Sequence, residues 1–234
     1  MSDRRQLLEA FEGLRVADVC DGLDRAGLPD ITLMDPAIRP LYRDVERFSH
    51  RLCGIAHTVR WVPTVQPRPA LPPDAFPAWE GAFYRDYARS PFVEEIQTGD
   101  VLVFDAAEQD VGTIGSNNCL GWIAHGARGV VTSGGARDTD ELIMQRCPVY
   151  CRLISRTIQP GRQEFEASQI PTQCGGVLVQ PGDVIVADGD GVVVVPQGLA
   201  LDVARYAREV LEGDKRGRRG LYEQLGRPLD DTVR

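Results

Sequence analysis

Arg137 and Asp138 stand side by side after the apolar run Gly129-Val130-Val131-Thr132 and the small-residue stretch Ser133-Gly134-Gly135-Ala136, and Glu141 follows three residues later. A carboxylate pair attracts a hard divalent cation, and a guanidinium suits a planar carboxylate or an enolate oxygen. With a helix beginning near Asp138, Asp138 and Glu141 would share one face while Arg137 points from the loop. The chemistry this predicts is capture of a metal-chelated 2-oxo acid. A plain surface ion pair is the alternative, but such pairs rarely follow a glycine turn at a strand end.

Apolar density also falls at Gly115-Ser116-Asn117-Asn118, where small or amide side chains would let the backbone approach a ligand closely. This stretch reads as a loop, followed by a helical run from Cys119 to His125 and then by the 129–132 strand. A strand that ends in a glycine turn delivers the next residues to a carboxyl strand edge, where open α/β sheets bind ligands.

The remaining candidates carry weaker patterns. His57 sits on a β-like run and reads as a hydrogen-bonded structural residue before a proton carrier. His50 and His125 are too far from it in sequence to suggest a metal triad. Asp18 reads as an exposed acid, and Asp21, beside Gly22, as a cap or site-lining residue. Asp188-Gly189-Asp190-Gly191 lacks the rest of a calcium loop and reads as a turn. The six cysteines contain no CxxC pair and read as reduced core fillers.

Positioning these residues requires an α/β chain of several elements. Residues 4–27 read as two helices hinged near Glu12-Gly13, with Leu7, Leu8, Phe11 and Leu14 on the first stripe. A strand follows over 51–62. The segment 63–77 holds six prolines, cannot form regular ladders and should run as a surface excursion, over a pocket or against a neighbouring subunit. Helical character returns over 79–96, where Trp79, Phe83, Tyr84 and Tyr87 lie on or near one face and read as core-packing aromatics, and 99–105 is a strand. A strand over 149–154 precedes a polar loop through Pro171. Three β-branched runs within 176–196 predict an antiparallel meander. A long helix over 199–225 closes the chain, with Ala200, Val203, Ala204, Ala207, Val210 and Leu211 as its buried stripe. No linker separates two apolar cores, so residues 1–234 are expected to form one domain.

Composition excludes some classes of function. A net charge of −8 argues against a nucleic-acid surface. The basic cluster 215–219 is flanked by Glu212, Asp214 and Glu223 and reads as a solvated helix face. Apolar runs are too short to cross a bilayer, so no membrane partner is expected. The start reads as no secretory signal, which places the chain in the cytoplasm as an expectation.

Taken in order, Gly-Asp before an apolar strand, Gly-Ser-Asn-Asn (115–118), Gly-Ala-Arg-Gly-Val-Val (126–131), Gly-Gly-Ala-Arg-Asp-x-x-Glu (134–141) and the Gly-Asp-Val-Ile-Val-Ala-Asp-Gly-Asp-Gly run (182–191) resemble the RraA-like family. That family includes 4-hydroxy-4-methyl-2-oxoglutarate/4-carboxy-4-hydroxy-2-oxoadipate aldolases with oxaloacetate decarboxylase activity. The resemblance covers roughly residues 14–225 outside the proline-rich excursion. It implies a three-layer ββα sandwich (an RraA-like swivelling domain) with N-terminal helices and a long C-terminal helix. It also implies homotrimers or homohexamers with the site between subunits.

By the same resemblance, Gly115, Ser116, Asn117 and Asn118 would hold the substrate carboxylate through backbone amides. Arg137 would contact the 2-oxo group, and Asp138, with Glu141 nearby, would anchor Mg2+ or Mn2+. Asp214, with Glu212 beside it, would complete the metal's water shell from an adjacent subunit and help polarise a water as base, with Glu141 and His57 as substitutes. The implied activity is metal-dependent C–C cleavage or decarboxylation of a 2-oxo acid through a pyruvate enolate. Two departures stand out: Asp214 is one methylene shorter than the family's glutamate, and Asn117-Asn118 is more polar than the leucine-rich aldolase loop. A non-catalytic regulatory protein on the same scaffold and a lyase for sugar-acid-derived 2-oxo acids are the alternatives. A methyltransferase is not supported, because no glycine-rich nucleotide loop follows an early strand.

Overall fold

The computed structural model describes residues 3–234. Two helices open the chain, α1 (Arg4–Phe11) and α2 (Val16–Arg25), followed by β1 (Arg39–Pro40) and the long β2 (Leu52–Pro63). The excursion after β2 is largely exposed and ends in a short 3-10 turn at Pro73–Ala75 that leads into α3 (Phe76–Asp86). Then come β3 (Asp100–Asp105), β4 (Gly112–Ile114), α4 (Ser116–Ala124), β5 (Gly129–Ala136), α5 (Thr139–Met144) and β6 (Val149–Ile154). The chain ends with β7 (Gln163–Ser168), β8 (Thr172–Cys174), β9 (Val177–Val179), β10 (Val184–Asp188), β11 (Gly191–Val195) and α6 (Ala200–Gln224).

Nine strands form one mixed sheet whose main path runs β1-β6-β5-β3-β2-β10-β11, with β4 added to β5 and β7 to β2. Its two edges almost meet. Arg39, on edge strand β1, donates from Nη1 to the Asp190 carbonyl in the β10–β11 turn at 3.0 Å. The fold is thus mixed α/β, a nearly closed sheet with N-terminal helices and a long C-terminal helix, and those elements match the sequence expectation.

Alternation within the strands divides the core. Val101 and Val103 of β3 join Leu52, Val131, Tyr150, Ile185 and Val194 in one buried cluster. Leu102 and Phe104 point the other way, to Trp61, Phe83, Phe92 and Trp122. Because both faces of these central strands are covered, they read as continuous apolar runs. A third cluster seats α1, α2 and α6 on β10 and β11 through Leu7, Phe11, Val19, Leu23, Val193, Val203 and Ala207. Each fully buried large side chain contributes about 1.5–3 kcal/mol.

Several sequence readings are corrected. The polar loop through Pro171 contains β7, which pairs antiparallel with β2. The 176–196 meander is only a hairpin, since β10 pairs with β11 and β2 while β9 pairs with β8 in a separate two-stranded sheet. Asp18 is buried: its carboxylate accepts from the Arg15 backbone N–H at 3.0 Å and from the Arg15 guanidinium, closing the start of α2. Asp21 is exposed and is neither a cap nor a lining residue. All six cysteines are free and four are buried. No helix among the described residues is long and apolar enough to cross a membrane.

Candidate active site

Strands β4 and β5 run parallel, with Ile114 opposite Ala136, so the residues that follow each strand emerge side by side. Arg137 fixes this exit by donating its backbone N–H to the Ile114 carbonyl at 2.8 Å. Gly115 and Asp138 therefore become the N-caps of α4 and α5, next to each other at one sheet edge.

Three local expectations change here. Ser133–Ala136 is not a turn but the second half of β5. Its glycines serve close packing, since a Cβ on Gly135 would lie 2.7 Å from the Ser155 Cβ and 2.8 Å from the Val111 carbonyl oxygen. Ser116, Asn117 and Asn118 are the first turn of α4 rather than a loop. The first amides of a helix have no intrahelical acceptor, so the Asn117 and Asn118 N–H groups are available to an anion.

Asp138 precedes its helix in the left-handed region, with φ 53° and ψ 42°. Aspartate tolerates this conformation better than most residues do. Its side chain does not cap α5. Instead Oδ2 accepts the Ser116 backbone N–H at 3.2 Å, and Oδ1 accepts from Arg137 Nε at 3.2 Å. Burial pushes the Asp138 carboxyl up, but the Ser116 amide and Arg137 outweigh it, leaving the group below its ordinary pKa. The carboxylate is ionised at neutral pH, with its side chain 34% exposed.

Two glycines make room for this pair. A Cβ on Gly115 would lie 2.8 Å from Asp138 Oδ2, and one on Gly112 would lie 2.9 Å from Arg137 Cδ. Around them opens a polar cavity of about 330 Å³, lined by Gly115, Asn117, Asn118, Arg137 and Asp138 together with Gly112, Glu80, Tyr84, Ile158 and Gln159. Of the last five, Gly112, Glu80, Ile158 and Gln159 were not singled out from the sequence, and Tyr84 read as a core aromatic. Glu80 and Tyr84 sit one turn apart on α3, beside the aromatic stripe of Trp79 and Phe83 that holds the helix to the core. That stripe was the signal for core packing, and the face next to it faces the cavity.

Not every predicted residue joins this group. Glu141 is exposed on α5 and does not line the cavity. Asp138 stands before the first turn of that helix in a left-handed conformation, so the two carboxylates do not share a helical face. Within one chain, Asp214 and Glu212 are also elsewhere: Asp214 Oδ2 accepts from Arg15 at 3.1 Å and Arg218 at 3.2 Å, and Glu212 lies 3.9 Å from Lys215. His57 is fully buried, with Nδ1 donating to Asp100 at 3.2 Å near the start of β3, the sheet edge opposite Arg137.

No cluster of three or more His, Cys, Asp or Glu able to hold a metal occurs among the described residues. The donor set fits a hard cation all the same. Magnesium and manganese accept one or two carboxylates and complete their shell with water and substrate oxygens, and Asp138 is an ionised, half-exposed carboxylate in a polar cavity. A larger cavity of about 560 Å³ lies between the α1–α2 turn and α4, near Leu14, Arg51, Leu120 and Arg128. Arg128 there already donates to the Cys53 carbonyl at 2.9 Å, and Arg51 stacks on Phe48 at 3.8 Å. Acid, guanidinium and free amides converge instead at the smaller cavity.

Residues 16–194 match the sequence profile of the RraA-like family, described as Aldolase/RraA. The chain belongs to the RraA-like family. A Halalkalibacterium halodurans relative named "Putative 4-hydroxy-4-methyl-2-oxoglutarate aldolase" is 32% identical over 133 residues, which span 56% of this chain and 62% of that relative. Among solved structures, an uncharacterized protein from Pseudomonas syringae pv. tomato is similar over the full length of both chains, at 26% identity and a TM-score of 0.75. A Streptomyces coelicolor protein, titled an unusual member of the RNase ES inhibitor RraA protein family, is 25% identical with a TM-score of 0.72, covering 91% of this chain and 96% of its own. This RraA-like family includes metal-dependent aldolases.

Proposed function

We propose that this RraA-like protein is a divalent-metal-dependent C–C lyase acting on a 2-oxo acid. The observation that carries the reading is the convergence of the Arg137 guanidinium, the Asp138 carboxylate and the first amides of α4 at the paired ends of β4 and β5. A bound magnesium or manganese ion held by Asp138 would supply Lewis-acid polarisation of the 2-oxo acid.

The chain's own groups account for the rest. The Asn117 and Asn118 amides receive the substrate carboxylate, and Arg137 faces the 2-oxo oxygen. In retro-aldol cleavage a base takes the 4-hydroxyl proton and the C3–C4 bond breaks. C4 leaves as a carbonyl, and the electron pair of that bond becomes a pyruvate enolate, which picks up a proton at C3. Decarboxylation of oxaloacetate breaks C3–C4 with C4 leaving as CO2, and the electron pair left on C3 gives the same enolate. Arg137, placed before charge develops on that oxygen, would contribute on the order of 3 kcal/mol.

Assembly belongs to the proposal as well. Leu120, Ile143 and Met144 are exposed on α4 and α5, the two helices that begin at the site, Met144 by 87%, and a trimer or hexamer would cover them. The ββα layering implied by the family resemblance would leave α6 on the outside, able to present Asp214 and Glu212 to a neighbour's cavity. Asp214 would then have to give up one of its two arginines.

Purified protein with magnesium, offered a panel of 4-hydroxy-2-oxo acids and oxaloacetate, should release pyruvate, and EDTA should abolish the release. Absence of pyruvate from every member of the panel, with recovery of a bound protein partner instead, would favour the regulatory reading.

A further inference from the structure

The lining residues that α3 and the 158–159 segment supply carry information about the substrate that Arg137 and Asp138 do not. Gln159 is only 5% exposed, and its Nε2, itself sealed from solvent, has no hydrogen-bond partner among the described residues. A buried amide left unmatched is rare, and Gln159 is one of the residues that line an open polar cavity. Glu80 lines the same cavity and forms no ion pair among the described residues. Tyr84 lines it as well: burial raises its phenol pKa, the Glu80 charge raises it further and Arg137 lowers it. Among the described residues Arg137 is the one cation lining the cavity, and its Nε is already bonded to Asp138.

We infer that this cavity selects a 2-oxo acid with a single carboxylate and a neutral, hydroxylated tail, the tail lying against Glu80, Tyr84 and Gln159. The inference rests on the 2-oxo acid reading of the Arg137–Asp138 end. A hydroxyl both donates and accepts, so it answers the Gln159 amide in either orientation, donates to Glu80 and pairs with the Tyr84 phenol. A second carboxylate only accepts. It would approach the Glu80 carboxylate with no cation left over to offset the repulsion. A site that hydrogen-bonds a substrate hydroxyl discriminates strongly against analogues that cannot reproduce the bond.

The test compares two ligands of equal length that retro-aldol chemistry cannot cleave: 5-hydroxy-2-oxopentanoate and 2-oxoglutarate. Their affinities for the intact protein with magnesium are measured by titration calorimetry. The hydroxylated acid should bind at least about tenfold more tightly. Glu80→Gln should shrink that ratio to within about threefold by improving 2-oxoglutarate, and Gln159→Leu should weaken the hydroxylated acid at least about fivefold, with melting curves confirming that both variants fold. Equal or tighter binding of 2-oxoglutarate by the wild type, no binding of either acid, or an unchanged ratio in Glu80→Gln overturns the inference.

Cleavage is scored separately. Offered 4,5-dihydroxy-2-oxopentanoate, the protein should yield pyruvate and glycolaldehyde. Selective binding without these products would leave the tail selectivity standing and remove the lyase reading. Efficient cleavage of 4-hydroxy-2-oxo diacids with no preference in binding would do the reverse.

Discussion

The Ser116 backbone N–H donates to Asp138 Oδ2 at 3.2 Å, so the carboxylate that precedes α5 closes the start of α4 instead of its own helix. One side chain thereby ties together the two chain segments that leave the parallel pair β4 and β5. An acid at a helix N-terminus is also favoured by the helix dipole, by about 0.3–1 kcal/mol. The site is thus held by the fold before any ligand arrives, and substitutions at Asp138 and at its contacts should separate geometry from charge.

Asp138→Asn keeps the side-chain shape and a residue type that tolerates the left-handed backbone, and removes only the charge. Pyruvate release should fall at least about 100-fold, with little change in melting temperature. Turnover within a few-fold of wild type would take Asp138 out of the mechanism.

Gly115→Ala tests the close approach rather than the charge. Gly115 has φ −128°, which any residue adopts, so the backbone is not the obstacle. The added methyl would lie 2.8 Å from Asp138 Oδ2 and push the carboxylate off the α4 amide. The magnesium concentration needed for half-maximal activity should rise about tenfold or more. An unchanged metal response would mean that Asp138 has room to move.

The residues that carry charge and the strands that carry β-branched runs were legible in the sequence; their neighbours across the fold were not. Arg137 and Asp138 announced themselves by type and adjacency. Gln159 and Glu80 did not, because a glutamine in a polar loop and a glutamate on an aromatic helix look like solvent-facing residues until the sheet brings them to one cavity. The Ser133–Ala136 stretch misled for a related reason: glycine signals a turn in sequence, while here it admits Ser155 and Val111 against a strand. Likewise the run 177–179 has strand composition, but its pairing with β8 rather than β10 depends on where residues 172–174 return.

Gly22 is another residue whose role only the packing reveals. On α2 it faces α6, where an added Cβ would lie 2.7 Å from the Val203 carbonyl oxygen and 3.1 Å from the Ala207 amide. These contacts are backbone and cannot swing aside. Gly22→Ala should therefore destabilise the chain by about 1–3 kcal/mol despite alanine's better helix propensity, as read from the denaturant midpoint. A stabilised variant would show that the two helices pack less closely.

His57 and Asp100 yield the prediction that separates stability from catalysis. Burial raises the Asp100 carboxyl pKa, but bonds from His57, the Gln97 amide and Arg4, the last at 2.7 Å, more than reverse it, so the folded pKa lies below the unfolded one. A depressed carboxyl stabilises the fold above its unfolded pKa, about 3.9, and that contribution fades as pH falls toward the folded value. Melting temperature should therefore drop as pH falls below about 4, and the drop should be shallower in Asp100→Asn, which has no proton to take up. Because this pair lies at the edge of the sheet away from Arg137, His57→Gln should lower stability by about 1–3 kcal/mol while leaving the rate of pyruvate release within about twofold. A tenfold loss of rate in a folded His57→Gln protein would make the histidine a proton carrier after all, and would require a path for the proton across the sheet.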